Sequence, residues 1–192
     1  MINAVLTAGR VRLAPFEQRH LSPEYVSWLN DQDLMSCSEQ RHRQHTLESC
    51  RTYWEGFSGT PHCFWAIEAL DLGGLHIGNL NAYIDRANGI ADMGLLIGHS
   101  RARRKGYGQL AWNTALSHLL NQTEIRKVTA GAMAVNEGML RIAEHSGMHQ
   151  DGCRSRHFMR EGKEVDLVYW AAFSRPTQPH IPTTQPKPDG HQ

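Results

Sequence analysis

Apolar and β-branched residues gather in short stretches at 11–14, 64–69, 75–84, 91–98, 127–135, 153–159 and 165–173, and these read as strands. Turn residues punctuate them at 71–74, 85–89 and 161–162. Between them the period changes. Tyr107, Leu110, Ala111, Ala115, Leu119 and Leu120 recur at three- and four-residue spacing, one face of a helix. Three further helices are marked by their starts. Ser22 precedes Pro23, Thr46 precedes a run to residue 57, and Asn136 precedes a run to His145 that Gly147 ends. The predicted order is β-α-α-β-β-β-α-β-α-β-β. Three successive strands exclude simple doubly wound alternation, so the expected class is α/β (α+β), a mixed sheet with helices on both faces. No fixed-period repeat is visible.

The pattern stops near the end. Residues 174–192 hold Pro176, Pro179, Pro182, Pro186 and Pro188 among Thr, Gln and Lys. Such a segment lacks amide donors for a ladder and apolar side chains to bury. Residues 1–173 are read as one domain and 174–192 as an extended tail, a polyproline docking ligand being the alternative.

Composition narrows the function. The 192 residues are 40% hydrophobic and 20% charged, with net charge +1, so no global basic field for nucleic acid exists. No apolar run approaches the length of a membrane span, and the N-terminus lacks the basic start of a signal peptide. Cys37, Cys50, Cys63 and Cys153 stand far apart with no CxxC, which points to reduced thiols in a cytoplasmic protein. The 12 histidines make the charge sensitive to mild acid.

The stretch from Ile97 to Ala111 carries the clearest chemistry. Arg101, Arg103, Arg104 and Lys105 place four cations within five residues, followed by Gly106 and Gly108 at the start of the long helix. Glycine lets a backbone amide approach a ligand closely, and a helix start offers unsatisfied N–H groups. Together these describe a pyrophosphate cradle. It lacks the Gly-Lys-Ser/Thr of a P-loop. A long charged loop stands where a dinucleotide fingerprint needs a tight turn, and the next strand ends in Asn136 without a ribose-binding acid, so nicotinamide is disfavoured.

Read as Arg103-x-x-Gly106-x-Gly108, the loop resembles the acetyl-CoA loop of the GNAT acetyltransferase superfamily. The strand 91–98 before it, the strand 127–135 after it and the Asn136 helix ending Glu144-His145-Ser146-Gly147-Met148 extend the resemblance over about 10–173. Trp28-Leu29-Asn30-Asp31, with Ile77-Gly78-Asn79 and Ile84-Asp85, resembles the subgroup of N-terminal-amine and nucleotide-amino-sugar acetyltransferases. The resemblance implies a mostly antiparallel sheet whose two central parallel strands splay to admit acetyl-CoA. It places the pantetheine against Leu96, Ile97 and Gly98, the pyrophosphate on Arg103, Arg104, Lys105, Gly106, Tyr107 and Gly108, and Ala130, Ala132 and Ala134 on the opposite wall. Asn136 would touch the pantetheine arm, or serve only as a helix cap. Two departures stand out. Gly138, Met139 and Leu140 lie where relatives carry a tyrosine acid, and Arg104 lies where related loops have glycine.

Asp92, on the strand before the loop, is the candidate base for an ammonium acceptor, against a purely structural reading. Asp85, Asn79 and His99 are weaker candidates. His42 and His45 lack companions for a metal, and no metal is expected. Cys63 reads as packed, and the five tryptophans form no stacking platform. The expected function is acetyl transfer from acetyl-CoA to a primary amine, favouring a small amino sugar or nucleotide-linked amino sugar. A protein N-terminal amine and a non-catalytic acetyl-CoA-binding regulator are the alternatives. The partner is a small-molecule amine, with no nucleic acid and no membrane; a homodimer is left open.

Overall fold

The computed structural model describes residues 3–174. Eight strands form one sheet: β1 (Leu6–Ala8), β2 (Val11–Pro15), β3 (Cys63–Ala69), β4 (Leu75–Asp85), β5 (Ile90–Ile97), β6 (Lys127–Met133), β7 (His149–Arg160) and β8 (Lys163–Phe173). Their spatial order is β1-β2-β3-β4-β5-β6-β8-β7. Every neighbouring pair is antiparallel except β5 with β6. The helices are α1 (Pro23–Asn30), α2 (Leu47–Glu55), α3 (Tyr107–Leu120) and α4 (Glu137–His145).

The helix starts form as the sequence indicates. Ser22, Thr46 and Asn136 each accept a backbone N–H from the first turn of α1, α2 and α4. Tyr107, Ala111, Trp112, Ala115 and Leu119 of α3 pack with Trp65, Ile67 and Val128 on one face of the sheet. Tyr25 and Trp28 of α1 and Cys50 of α2 pack with Phe16, Phe64 and Ala66 on the other. Being covered on both faces, β3 is buried at every position. That is the mixed sheet flanked on both sides that the element order requires.

Four details differ from the sequence reading. β1 is an added three-residue strand, too short for a periodic signal; it pairs Leu6 with Leu13. β6 ends at Met133, before residue 135, because Ala134 and Val135 turn out to solvent ahead of the Asn136 cap. β7 starts at His149 and carries extra residues between Arg154 and Phe158, with Arg156 at φ +52°. The Arg156 amide in that bulge donates to Asp166 at 2.7 Å. Ser174, read as the first residue of the tail, is tied to the body through its amide, which donates to the Arg126 carbonyl at 3.0 Å. The remainder of the proline-rich tail lies outside the described residues.

The parallel pair creates the opening. β5 and β6 are in register only at Ile90/Lys127, Ala91/Val128 and Asp92/Thr129. Beyond that point β5 stays with β4 through Ile97 and β6 stays with β8 through Met133. The two strands therefore part while each keeps its outer neighbour.

Candidate active site

The parted strands open onto a cavity of about 780 Å³. Met93 to Leu96 of β5 and Ala130 to Met133 of β6 form its cleft, with Asn136 and Met139 at the start of α4. Phe64, Asn79, Asn81 and Tyr83 form a floor across β3 and β4. The segment after α1 contributes Leu34, Met35, Cys37 and neighbours to Gln44 and His45, while α2 adds Ser49, Cys50 and Tyr53. From Met93 onward β5 has no strand partner on its β6 side among the described residues. Its outward N–H and C=O groups are therefore an open edge onto which an extended, amide-bearing chain can add as a strand would.

The basic loop leads from that edge to α3. Gly106 is the N-cap at φ +81°, a left-handed conformation that glycine adopts without a Cβ penalty, and no side chain of the described residues caps the helix there. The first N–H groups of α3 thus lack the side-chain acceptor that the other helices have, and they stand beside Arg103, Arg104 and Lys105. Arg10 fixes the far end of the loop. It donates to the Lys105 carbonyl, lies over the Tyr107 ring at 4.1 Å and faces Asp71 at 3.6 Å. The Tyr107 hydroxyl donates to Asp71 at 2.8 Å. This loop is braced from beneath rather than hanging free.

Several expected cofactor residues have internal tasks. Tyr107 is 2% exposed, and its side chain braces the loop, so its backbone is what it offers a ligand. A Cβ at Gly108 would meet Ile97, Ile142 and Leu95 at 3.3–3.4 Å, so the glycine makes room for α3 against β5 and α4. Gly98 spends its N–H on the Ile77 carbonyl at 2.9 Å and its C=O on Arg103, 2.7 Å from Nη2. A Cβ there would fall 2.0–2.4 Å from the Trp28 indole, which lies directly on the strand end. Gly98 therefore shapes the loop, leaving the open edge to Met93 through Ile97. Leu96 lines the cavity, while Ile97 packs into the core beneath it. Arg103 also contacts Asp31 at 3.3 Å. Arg104 sits at φ +58°. Asn136 both lines the cavity and caps α4, its Oδ1 accepting from the Met139 amide at 3.2 Å. Ala134 is exposed and outside the cavity, which removes it from the expected wall of Ala130 and Ala132.

Asp92 lies beside Tyr83 on β4 and Thr129 on β6. Its Oδ1 accepts the Thr129 hydroxyl at 2.6 Å. The side chain reaches solvent, yet the surrounding sheet raises its pKa by desolvation, against the Thr129 bond, which lowers it. It is next to Met93 of the lining but is not itself part of it. Asp85 holds the 85–89 turn through Asn88, and His99 accepts the Arg101 amide at 3.2 Å. Asn79 is 5% exposed on the cavity floor, and its Oδ1 has no hydrogen-bond partner among the described residues. Among the described residues no group of three His, Cys, Asp or Glu side chains could hold a metal.

Sequence reasoning missed the Asn81–Tyr83–Tyr53 side of the cavity, where the two phenols meet at 2.8 Å. Polar residues at every second position of β4, in a strand otherwise buried, were the available signal. It also missed Glu68, a fully buried carboxylate. Arg12 (2.5 Å), Arg19 (2.8 Å) and His20 (3.0 Å) surround it. Burial pushes Glu68 up, but the bonds from His20 and Arg12 and the charges of Arg19 and Arg12 outweigh it, and its pKa falls.

A sheet parted between two parallel strands, beside a braced glycine loop and an uncapped helix start, has the form of a CoA-dependent acyltransferase. The family model for the acetyltransferase (GNAT) domain matches residues 10–149, and the chain belongs to that family. Its reaction is acyl-CoA-dependent N-acetyl transfer, with acetyl-CoA as donor. Solved structures of similar fold include a GNAT-family acetyltransferase from Bacillus anthracis (16% identity, 88% of this chain and 98% of that one, TM-score 0.75). A ribosomal L7/L12 α-N-protein acetyltransferase in complex with coenzyme A is similar at 14% identity (88% and 97% covered, TM-score 0.77). Spermidine N-acetyltransferase from Vibrio cholerae, in complex with CoA and spermine, is similar at 15% identity (86% and 96%, TM-score 0.75). No curated protein matches the sequence. No helix among the described residues is long and apolar enough to cross a membrane.

Proposed function

We propose that the acceptor is a primary amine on a polar molecule that also bears an anionic group, a nucleotide-linked amino sugar being the class that fits best. The charge of the cavity lining carries this reading. Glu39 is its one carboxylate, and Arg41 pairs with it at 2.7 Å. Arg43 lines the same wall with no ion-pair partner among the described residues. A polycation would find no free carboxylate there, whereas an anion would find Arg43. Ser38, Gln40, Gln44, Ser49, Asn79 and Asn81 add neutral donors and acceptors suited to hydroxyls.

The residues divide the work. Acetyl-CoA supplies an activated acyl carbon as a thioester. The open β5 edge from Met93 to Ile97 would hold the pantetheine amides and direct backbone N–H groups at the carbonyl that gains negative charge. The amides of Lys105, Gly106 and Gly108 with Arg103, Arg104 and Lys105 would take the pyrophosphate. Asp92 would receive the proton of the ammonium through solvent, since it stands beside the lining rather than in it.

A thiol-release screen with acetyl-CoA over nucleotide-linked amino sugars, plain amino sugars, N-terminal peptides and polyamines tests the reading. Turnover should be fastest with the nucleotide-linked sugars. Preference for peptides would support the second reading, a protein N-terminal amine, which the fold similarity to the L7/L12 enzyme favours. Preference for polyamines would sink the charge argument.

A further inference from the structure

The wall between α1 and α2 is fixed by two adjacent residues at the end of α1. Asn30 closes the segment on itself. Its Oδ1 accepts the His45 N–H at 2.8 Å and its Nδ2 donates to the His45 carbonyl at 2.9 Å. Asp31 ties the same segment outward. Its Oδ1 accepts the amides of Asp33 at 3.1 Å and Leu34 at 3.0 Å, forming the turn from which Leu34 and Met35 enter the cavity lining. Its Oδ2 faces Arg103 Nη2 at 3.3 Å. Arg103 in turn holds the Gly98 carbonyl through Nε at 3.0 Å and Nη2 at 2.7 Å. Its Nη1 has no partner among the described residues. One carboxylate thus spans the donor-side loop and the acceptor-side wall, two parts of the chain 72 positions apart.

We propose that Asp31 is a positioning residue that couples donor binding to the shape of the acceptor cavity. This rests on the reading that the loop with Arg103 takes the donor's pyrophosphate. The guanidinium is a rigid planar fork. An anion on its free Nη1 edge leaves Asp31 on Nη2 and Gly98 on Nε, so three acceptors fix the plane. Asp31 is then held at both oxygens, and the 33–35 turn is held with it. Donor binding prepares the acceptor wall, and by linkage an acceptor on that wall strengthens donor binding by the same factor.

Asp31→Asn separates this role from plain turn capping. The Asn Oδ1 still accepts from Asp33 and Leu34, whereas its NH₂ cannot accept from Arg103. Arg103→Lys cuts the same link from the other side, keeping a cation for phosphate but losing the fork. The experiment is hydrogen exchange of the full chain with and without CoA as the probe. In the wild type, CoA should slow exchange of the loop amides 101–108 and also those of 33–35, each by about fivefold or more. In Asp31→Asn the loop should remain protected while the effect at 33–35 disappears; in Arg103→Lys, which weakens donor binding, the effect at 33–35 should stay absent even when CoA is raised until the loop is protected again. Equal CoA protection of 33–35 in wild type and Asp31→Asn, or none there in the wild type, would overturn the coupling. Absence of protection in the loop itself would overturn the reading of the loop, and this inference with it.

Discussion

At the scale of single residues, the loop depends on two contacts that a side chain would destroy or release. Gly98→Ala would put a methyl group 2.0–2.4 Å from the Trp28 ring, which is 5% exposed and packed 5.0 Å from His76. With the ring unable to retreat freely, we expect a loss of ~1–3 kcal/mol, read as a lower Tm, and weaker acetyl-CoA binding because Arg103 loses its seat on the Gly98 carbonyl. An unchanged Tm would mean that Trp28 is mobile. Asp92 makes the opposite demand, since its shape is to be kept and its basicity removed. Asp92→Asn should lower turnover by ~10²–10⁴-fold with acetyl-CoA affinity nearly unchanged. Because desolvation leads the shift and raises the Asp92 pKa, the acidic limb of kcat/KM should be displaced upward from the ordinary carboxylate value and vanish in the variant. Superimposable pH profiles would make Asp92 a strut for Thr129 and leave positioning and backbone donors to do the catalysis.

At the scale of elements, much was legible because it is local. The caps Ser22, Thr46 and Asn136 announce α1, α2 and α4 within a few residues of chain, and Gly106 announces α3. What was illegible depends on neighbours distant in sequence. The glycines at 98 and 108 declare a close approach, but the sequence does not say that Trp28 makes one and Ile97 with Ile142 the other. The splay was expected only from family resemblance, because β6 parts from β5 after Thr129 while staying paired with β8, a strand some 40 residues further along the chain. The wall from Leu34 to His45 carries no periodic signal, being pinned by Asn30, by Asp31 and by Arg41, which donates to the Met159 carbonyl at 3.0 Å. The loop yields one prediction at this scale. Arg104 is a non-glycine residue at φ +58°, a left-handed conformation that favours glycine. Arg104→Gly should leave Tm unchanged or slightly higher, strain relief of up to ~1 kcal/mol opposing the greater entropy of a glycine chain. Acetyl-CoA affinity should fall about tenfold or less through the lost charge, with its salt dependence reduced. A large fall in Tm would show that the Arg104 side chain, rather than its backbone, holds the loop.

At the scale of the whole molecule, the sheet face under α1 buries a titratable cluster whose members respond to pH together. Glu17 donates its N–H to His20 Nδ1 at 2.9 Å, so the His20 proton resides on Nε2 and points at Glu68, making this imidazole neutral. His76 lies 5.1 Å from His20 and donates Nε2–H to the Gly78 carbonyl at 2.9 Å. Desolvation first, and His20 beside it second, push the His76 pKa down to about 4, and desolvation lowers His20 as well. A histidine whose pKa is depressed by folding stabilises the fold fully above its unfolded pKa of ~6.5. As pH falls below that value the unfolded chain takes up the proton first, and stability drains until the folded pKa is reached. For His76 the window runs from ~6.5 to about 4, and the loss reaches ~3 kcal/mol at its lower end. Glu68, whose pKa is lowered, loses its contribution over more acidic pH. We therefore expect Tm to fall steadily from pH 7 to pH 5, well before the exposed carboxylates titrate. His76→Gln, which keeps a donor near the Gly78 carbonyl but does not titrate, should flatten that slope even if its Tm at pH 7 is lower. A wild-type Tm constant between pH 7 and pH 5, or a slope in His76→Gln as steep as in the wild type, would show that the proton uptake on unfolding lies elsewhere among the 12 histidines.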